Sequence, residues 1–284
     1  MVSKNQIPRV LAVHDLSCLG RVALMVVIPI LSAMGIQVNP LPTALLSSST
    51  NFKRFKIVDL TSQMEDFIQH WKDENIVFDT IYTGFLGSAG QIKIVKNLID
   101  YYQSEKCMIV IDPVLGDDGC IYSTMKQDNI DGMKELIKSA DLITPNITEA
   151  CLLLDEPFQT NFTTERIMEF AHSLSDKGPK TVVITGVNNI EKLDITSVIA
   201  YSSKDNSYHF ESCEYIPARY PGTGDIFTSI LIGCLLSEIQ LSKALVNAVN
   251  FTAFAIKETI TTDYDINEGA TFEKAIKSNI FCSF

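Results

Sequence analysis

Pro221-Gly222-Thr223-Gly224-Asp225 has residue types and spacing that could do chemistry. Two glycines let a backbone turn tightly and bring its N–H groups close to an anion. The apolar run at 226–233 predicts a buried helix, so these amides stand at a helix N-terminus. Free donors and the helix dipole favour a phosphate there. A carboxylate in that place could take a proton from a hydroxyl while the amides hold the charge of a moving phosphoryl group. An aspartate in the first turn of a buried helix is also common in its own right. The loop alone leaves both readings open.

Such a loop needs a frame. Apolar or β-branched runs at 9–13, 37–43, 80–83, 108–111, 142–144 and 181–185 read as strands. They alternate with segments of helical period at 21–33, 59–72, 89–103, 148–154, 165–175 and 241–259. Segments 197–201 and 208–211 read as a hairpin about a polar turn. The alternation predicts an α/β fold: three α/β/α layers around a central, mostly parallel sheet. Ligands in such sheets sit beyond the carboxyl ends of strands. Those ends carry His14-Asp15, Gly84-Phe85, Asp112-Pro113, Asn146 and Thr185-Gly186. No repeat or linker interrupts the chain, which predicts one domain over 1–284. A small polar flap is expected near 44–58, where 47–56 has no clear period.

Composition narrows the partners. The formal net charge of −11 argues against nucleic acid and anionic membranes. It does not argue against ATP, whose phosphates amides and magnesium can neutralise locally. The polar start has no signal-peptide pattern, and no apolar run approaches the roughly 20 residues that span a bilayer. Seven cysteines (Cys18, Cys107, Cys120, Cys151, Cys213, Cys234, Cys282) are scattered without a C-x-x-C pair. Reduced, mostly buried thiols in a cytoplasm are expected. The four histidines lack metal-ligand spacing, so no zinc site is expected.

Further stretches join the loop: Thr83-Gly84-Phe85-Leu86-Gly87-Ser88, Asp112-Pro113-Val114-Leu115-Gly116-Asp117 and Thr144-Pro145-Asn146-Ile147-Thr148-Glu149. With Gly222-Thr223-Gly224-Asp225 late in the chain, their order resembles the ribokinase superfamily of ATP-dependent small-molecule kinases. Within it the chain looks most like the pyridoxal (vitamin B6) kinases, which carry G-Y-L-G-S, D-P-V-M-G, P-N-x-x-E and G-x-G-D stretches in this order. Leu41-Pro42-Thr43 and the serine-rich segment into Asn51-Phe52 resemble that family's substrate-side strand and flap. Each stretch is weak alone, and the ordered set covers nearly the whole chain.

The resemblance implies a ribokinase-like fold and phosphorylation of the 5′-hydroxymethyl group of pyridoxal, pyridoxine or pyridoxamine. It makes Asp225 the catalytic base and the amides of Gly222, Thr223 and Gly224 the anion hole. It puts Asp112 and Glu149 at magnesium and phosphate-water positions, and Asn146, Thr185 and Gly186 along the nucleotide groove. Thr43 and Phe85 match acceptor-side positions. ATP, magnesium and a homodimer follow from it; the need for a monovalent cation stays open. Taken singly, Asp112-Pro113 could be a strand-ending turn, Asp117-Asp118-Gly119 a solvated turn, Asn146 an Asx turn and Glu149 a helix-start carboxylate.

Two departures bear on the acceptor. B6 kinases usually have serine where this chain has Asp15, and tyrosine where it has Phe85. Asp15 could meet a protonated pyridine nitrogen, an amine, or a sugar or pyrimidine group. It could also cap a helix starting at Gly20–Arg21. A hydroxymethylpyrimidine kinase is the alternative enzyme, and a B6-vitamer binding protein without turnover the alternative of another class.

Overall fold

A computed structural model describes residues 7–103, 107–188 and 195–278. The first strand sets the plan. Residues Val10 to Val13 of β1 (Arg9–Ser17) have no exposed surface. Their side chains alternate: Leu11 and Val13 enter one core, Val10 and Ala12 the other. A strand buried on both faces reads as a continuous apolar run, the mark of a parallel sheet covered by helices on each side.

Among the described residues the sheet has nine strands in the order β11-β10-β9-β8-β5-β4-β1-β2-β3. These are β2 (Gln37–Leu46), β3 (Ile57–Asp59), β4 (Thr80–Thr83), β5 (Met108–Ile111), β8 (Leu142–Ile143), β9 (Thr181–Asn188), β10 (Ile195–Ser202) and β11 (Ser207–Glu214). A two-stranded ribbon, β6 (Gly116–Asp117) with β7 (Cys120–Ile121), lies outside it. From β2 to β9 the main-sheet pairings are parallel. β3 and the β10–β11 hairpin add antiparallel edges. β1 has β2 on one side and β4 on the other, so connections diverge there and leave a crevice at the carboxyl ends.

One face carries α2 (Thr61–Asp73), α3 (Ala89–Tyr102), α4 (Gln127–Leu136), α5 (Ile147–Leu154) and α6 (Thr164–Ser175). The other carries α1 (Leu24–Ala33), α7 (Thr223–Leu236), α8 (Leu241–Ile260) and α9 (Glu273–Lys277). In α7 every residue from Ile226 to Cys234 is buried, as befits a helix apolar all round. Burying each large aliphatic there is worth about 1.5–3 kcal/mol. The helix that follows the glycine loop is therefore a fixed core element, and its N-terminus is held in place.

The expected α/β layers and parallel sheet are present. Several boundaries differ. The strand expected at 9–13 continues to Ser17, because β1 keeps pairing with β2 past His14. The helix expected from 21 begins at Leu24; Arg21 instead enters a bonded turn, its N–H donating to the Glu268 carbonyl at 2.7 Å. β3, α4 and α9 are short or weakly apolar elements that the pattern did not announce. Asp117-Asp118-Gly119 is a hairpin turn, with Asp118 and Gly119 both at positive φ, as two-residue hairpins require. The six described cysteines are thiols, three of them buried; Cys282 lies outside the described residues. Among the described residues no helix is long and apolar enough to cross a membrane.

Candidate active site

The glycine loop opens α7 as expected, with Gly222 as N-cap at φ 84°. A Cβ on Gly222 would meet the Arg21 carbonyl oxygen at 2.0 Å. Conformation and space both restrict this position to glycine. The first intrahelical bond runs from the Ile226 N–H to the Gly222 carbonyl. The amides of Thr223, Gly224 and Asp225 precede it and have no partner within the helix. Thr223 Oγ1 donates to the Tyr220 carbonyl at 3.2 Å, bracing the turn.

Asp225 is the third residue of α7, and its side chain keeps 16 % exposure. One oxygen, Oδ2, accepts the Ala23 N–H at 2.8 Å. Ala23 stands just before α1 at φ 50°, an uncommon conformation for a residue with a Cβ. That backbone aims an amide at a carboxylate about two hundred residues away, as the 202-residue separation shows. The other oxygen, Oδ1, faces His14 Nδ1 at 3.8 Å. Burial, and secondarily the charge of Asp15, push the Asp225 pKa up to about 7 against the pull of the Ala23 amide. The helix start by itself favours an ionised Asp225. Desolvation outweighs that pull because burial disfavours the charged form.

Asp15 lies inside β1, opposite an irregularity in the pairing with β2. It accepts Ser17 Oγ–H at 2.9 Å, and burial pushes its pKa up. The capping alternative fails, since α1 begins at Leu24 with no side-chain cap. Asp112 is 8 % exposed; burial and then the charge of Asp225 raise its pKa well above the ordinary value. Glu149 is 4 % exposed and is raised by burial and then by Asp112. Asp15, Asp225, Asp112 and Glu149 thus form one electrostatically linked row.

The Asn146 end is tightly bonded. Asn146 Oδ1 accepts the Glu149 N–H at 2.9 Å, and Glu149 Oε2 accepts the Asn146 N–H at 2.8 Å. This is a capping box at the start of α5. Glu149 Oε1 also accepts the Leu115 N–H at 3.1 Å, and Asn146 Nδ2 donates to the Gly116 carbonyl at 2.8 Å. The box therefore fixes the β6–β7 ribbon to the helix. Thr185 reaches Asn146 by a parallel bridge, with Gly186 exposed beyond it.

On the opposite side, Thr43 Oγ1 donates to the Phe85 carbonyl at 3.3 Å. Gln91, absent from the sequence reading, binds the Thr43 carbonyl and Thr61 Oγ1, each at 3.0 Å, and accepts the Gly87 N–H at 2.8 Å. Ala23 likewise carries no signal in the sequence, because it acts through its backbone N–H. Arg219 pairs with Asp118 across the rim. A surface cavity of about 420 Å³ between α6 and β11, lined by Glu165, Met168 and Tyr208 among others, holds none of these groups.

Magnesium with phosphate oxygens takes one or two protein carboxylates. Asp112 fits: it is buried, and a hydrogen bond from Thr144 is what favours its charged form against burial and the charge of Asp225. Glu149 fits less directly, since each of its oxygens already accepts a backbone amide. Among the described residues no group of three His, Cys, Asp or Glu forms a self-sufficient metal cage.

The chain is similar to known proteins over most of its length. Pyridoxal kinase from Dictyostelium discoideum is 28% identical over 266 residues, covering 89% of this chain and 86% of that protein. A Bacteroides thetaiotaomicron protein, provisionally named a phosphomethylpyrimidine kinase, has been solved in an orthorhombic form with pyridoxal. It is 45% identical with a TM-score of 0.93, covering 97% of this chain and 96% of that one. Pyridoxal kinase from Lactobacillus plantarum is 28% identical with a TM-score of 0.86, covering 96% of each chain. Residues 43–270 match the phosphomethylpyrimidine kinase family, and with the ribokinase-like sheet around that match the chain belongs to this family.

Proposed function

We propose that the protein is an ATP-dependent kinase of B6 vitamers, transferring the γ-phosphoryl group to the 5′-hydroxymethyl oxygen of pyridoxal, pyridoxine or pyridoxamine. The observation that carries this reading is the free helix start at Gly222–Gly224 beside a carboxylate with one anchored and one unbonded oxygen. Asp225 Oδ1 takes the hydroxyl proton as the substrate oxygen bonds to phosphorus. The bond from phosphorus to the bridging oxygen breaks, and ADP leaves with its electrons. The amides of Gly222, Thr223 and Gly224 hold the equatorial charge, and alignment supplies much of the rest.

Asp112 would hold magnesium, with Glu149 acting through water; the ion would supply charge neutralisation on the phosphates. Asn146, Thr185 and Gly186 line the nucleotide side of the crevice, Thr43 and Phe85 the acceptor side. Asp15 meets the acceptor ring, where a carboxylate favours a donor or a positive charge. Within 44–58, whose ends are paired as β2 and β3, the connecting residues 47–56 form a flap on one kinase domain spanning 1–284. Cytoplasmic residence and a homodimer complete the reading on the strength of the family resemblance.

A coupled assay of ADP release with the three vitamers and with hydroxymethylpyrimidine tests the proposal. Turnover is expected with at least one vitamer. Faster turnover of the pyrimidine would replace the acceptor assignment. Vitamer binding without ADP release would make the chain a binding protein.

A further inference from the structure

His14 is fully buried in β1, and among the described residues neither of its ring nitrogens has a hydrogen-bond partner. A buried polar group in this condition is rare enough to need a reason. The ring is placed with care. Its edge meets Tyr82 at a centroid distance of 4.4 Å and an interplanar angle of 72°. The backbone of Gly84 closes over it: a Cβ there would stand 2.2 Å from Nδ1. The glycine expected as part of a strand-end motif is thus the space that the imidazole fills. Nδ1 looks at Asp225 Oδ1 across 3.8 Å, the oxygen that the Ala23 amide leaves unbonded. Burial drives the His14 pKa down to about 3, so the ring is neutral and carries one N–H.

Resting on the kinase reading above, we infer that His14 is a positioning residue: its neutral ring donates Nδ1–H to Asp225 Oδ1 and orients the carboxylate toward the acceptor hydroxyl. The gap of 3.8 Å is about 1 Å longer than an N–H···O bond, and catalytic hydrogen bonds are often long in the free enzyme and tighten with substrate bound. Asp225 would then be held at both oxygens, by Ala23 on one side and by His14 on the other. A carboxylate oxygen has two lone-pair directions, so Oδ1 keeps one for the substrate proton. His14 touches no substrate in this account and acts only through Asp225.

Two experiments test this, one of them independent of turnover. In the wild-type protein labelled with ¹⁵N-histidine, the His14 signal, assigned by its loss in His14→Gln, is expected to show a protonated Nδ1 and an unprotonated Nε2. The opposite tautomer would overturn the inference whether or not the protein is a B6 kinase. The second experiment is kinetic. His14→Leu should lower kcat about tenfold or more with KM for ATP changed less than twofold, and without loss of thermal stability, because it removes a buried polar group that lacks a partner. His14→Gln, which keeps a side-chain N–H, should recover most of kcat. Equal kcat in His14→Leu and wild type, or equal loss in both variants, would make the ring packing alone. Absence of kinase activity in the wild type would instead sink the proposed function and leave the tautomer result standing.

Discussion

Glu149 and Asp225 occupy the same position in two different helices. Each is the third residue of its helix, and each helix starts at the carboxyl edge of the sheet. The residue at the N-cap separates them. In α5 it is Asn146, whose side chain takes the Glu149 amide and whose own N–H the Glu149 carboxylate takes back. In α7 it is Gly222, which has no side chain to give. One helix start is closed on itself and the other is left open to an anion. Asp225, lacking a local partner, reaches instead to the Ala23 amide of another element and keeps Oδ1 unbonded. A carboxylate that completes a cap has both oxygens engaged by backbone amides; one at an open helix start is anchored through a single oxygen.

The largest effect expected from this contrast is on turnover. Asp225→Asn should lower kcat by roughly 10²–10⁴-fold, the usual worth of a positioned base. Nucleotide and vitamer binding should survive, because Asn still accepts the Ala23 N–H. Near-normal turnover would remove Asp225 as the base. Wild-type kcat/KM for the vitamer should also fall about tenfold per pH unit below about pH 7, since the base works ionised and its pKa lies at about 7 in the free protein. A flat profile between pH 5 and pH 7 would contradict that assignment.

Stability should move in opposite directions at the two sites. The folded-state pKa of Asp225 is raised above its unfolded value. The folded state therefore binds the extra proton, and the stability this gives is present below about pH 4 and lost as pH rises toward 7. At pH 8 the buried charge is a burden, and Asp225→Asn should raise Tm by about 2–5 °C. Glu149→Ala should lower Tm, because it leaves the Leu115 and Asn146 amides without acceptors, at about 1–3 kcal/mol for each buried donor. Thermal scans of both variants at pH 8 decide this. A fall in both would mean that Asp225 is as structural as Glu149.

This contrast also marks what the sequence could tell. The strand–helix alternation and the glycine loop were legible because period and glycine spacing are local properties. The strand and helix ends near the site were not. β1 runs on to Ser17 because β2 lies beside it, and Leu24 opens α1 because Arg21 is held by Glu268 and Glu273. The candidate residues stand at strand ends and helix starts, as their motifs imply, but their bonding partners are long-range. Ala23, Gln91 and the orientation of His14 depend on elements brought together only by folding.

A smaller effect is expected at Asp15, which lies in the row beside Asp225 but, among the described residues, bonds only Ser17 by side chain. Asp15→Ser should change kcat/KM by several-fold and unequally among pyridoxal, pyridoxine and pyridoxamine, with KM for ATP nearly unchanged. A charge-assisted contact to the acceptor ring is lost unevenly when the rings present different groups. A uniform change across the three vitamers would take Asp15 off the acceptor site.

The smallest effect concerns the polar segment beside the acceptor strand. Its two ends are tied: the Ser47 N–H donates to the Lys56 carbonyl, and the Lys56 N–H donates to Ser47 Oγ. Its first half is also anchored, since Ser48 and Ser49 are buried and Ser49 bonds both Leu19 and Asn267. Among the described residues, the stretch from Asn51 to Arg54 has no such ties beyond the Phe52 N–H to the Ser49 carbonyl, and Lys53 and Arg54 are exposed. Movement of the flap should therefore be confined to this tip, with Ser47 and Lys56 as its base. Closure over bound substrates would keep water from competing as phosphoryl acceptor. Trypsin should cut after Lys53 or Arg54 in the free protein, and cutting should slow a few-fold with a vitamer and a non-hydrolysable ATP analogue both present. Equal rates in the two states would leave the segment as a fixed turn, and protection by the nucleotide alone would place it over the phosphates rather than the acceptor.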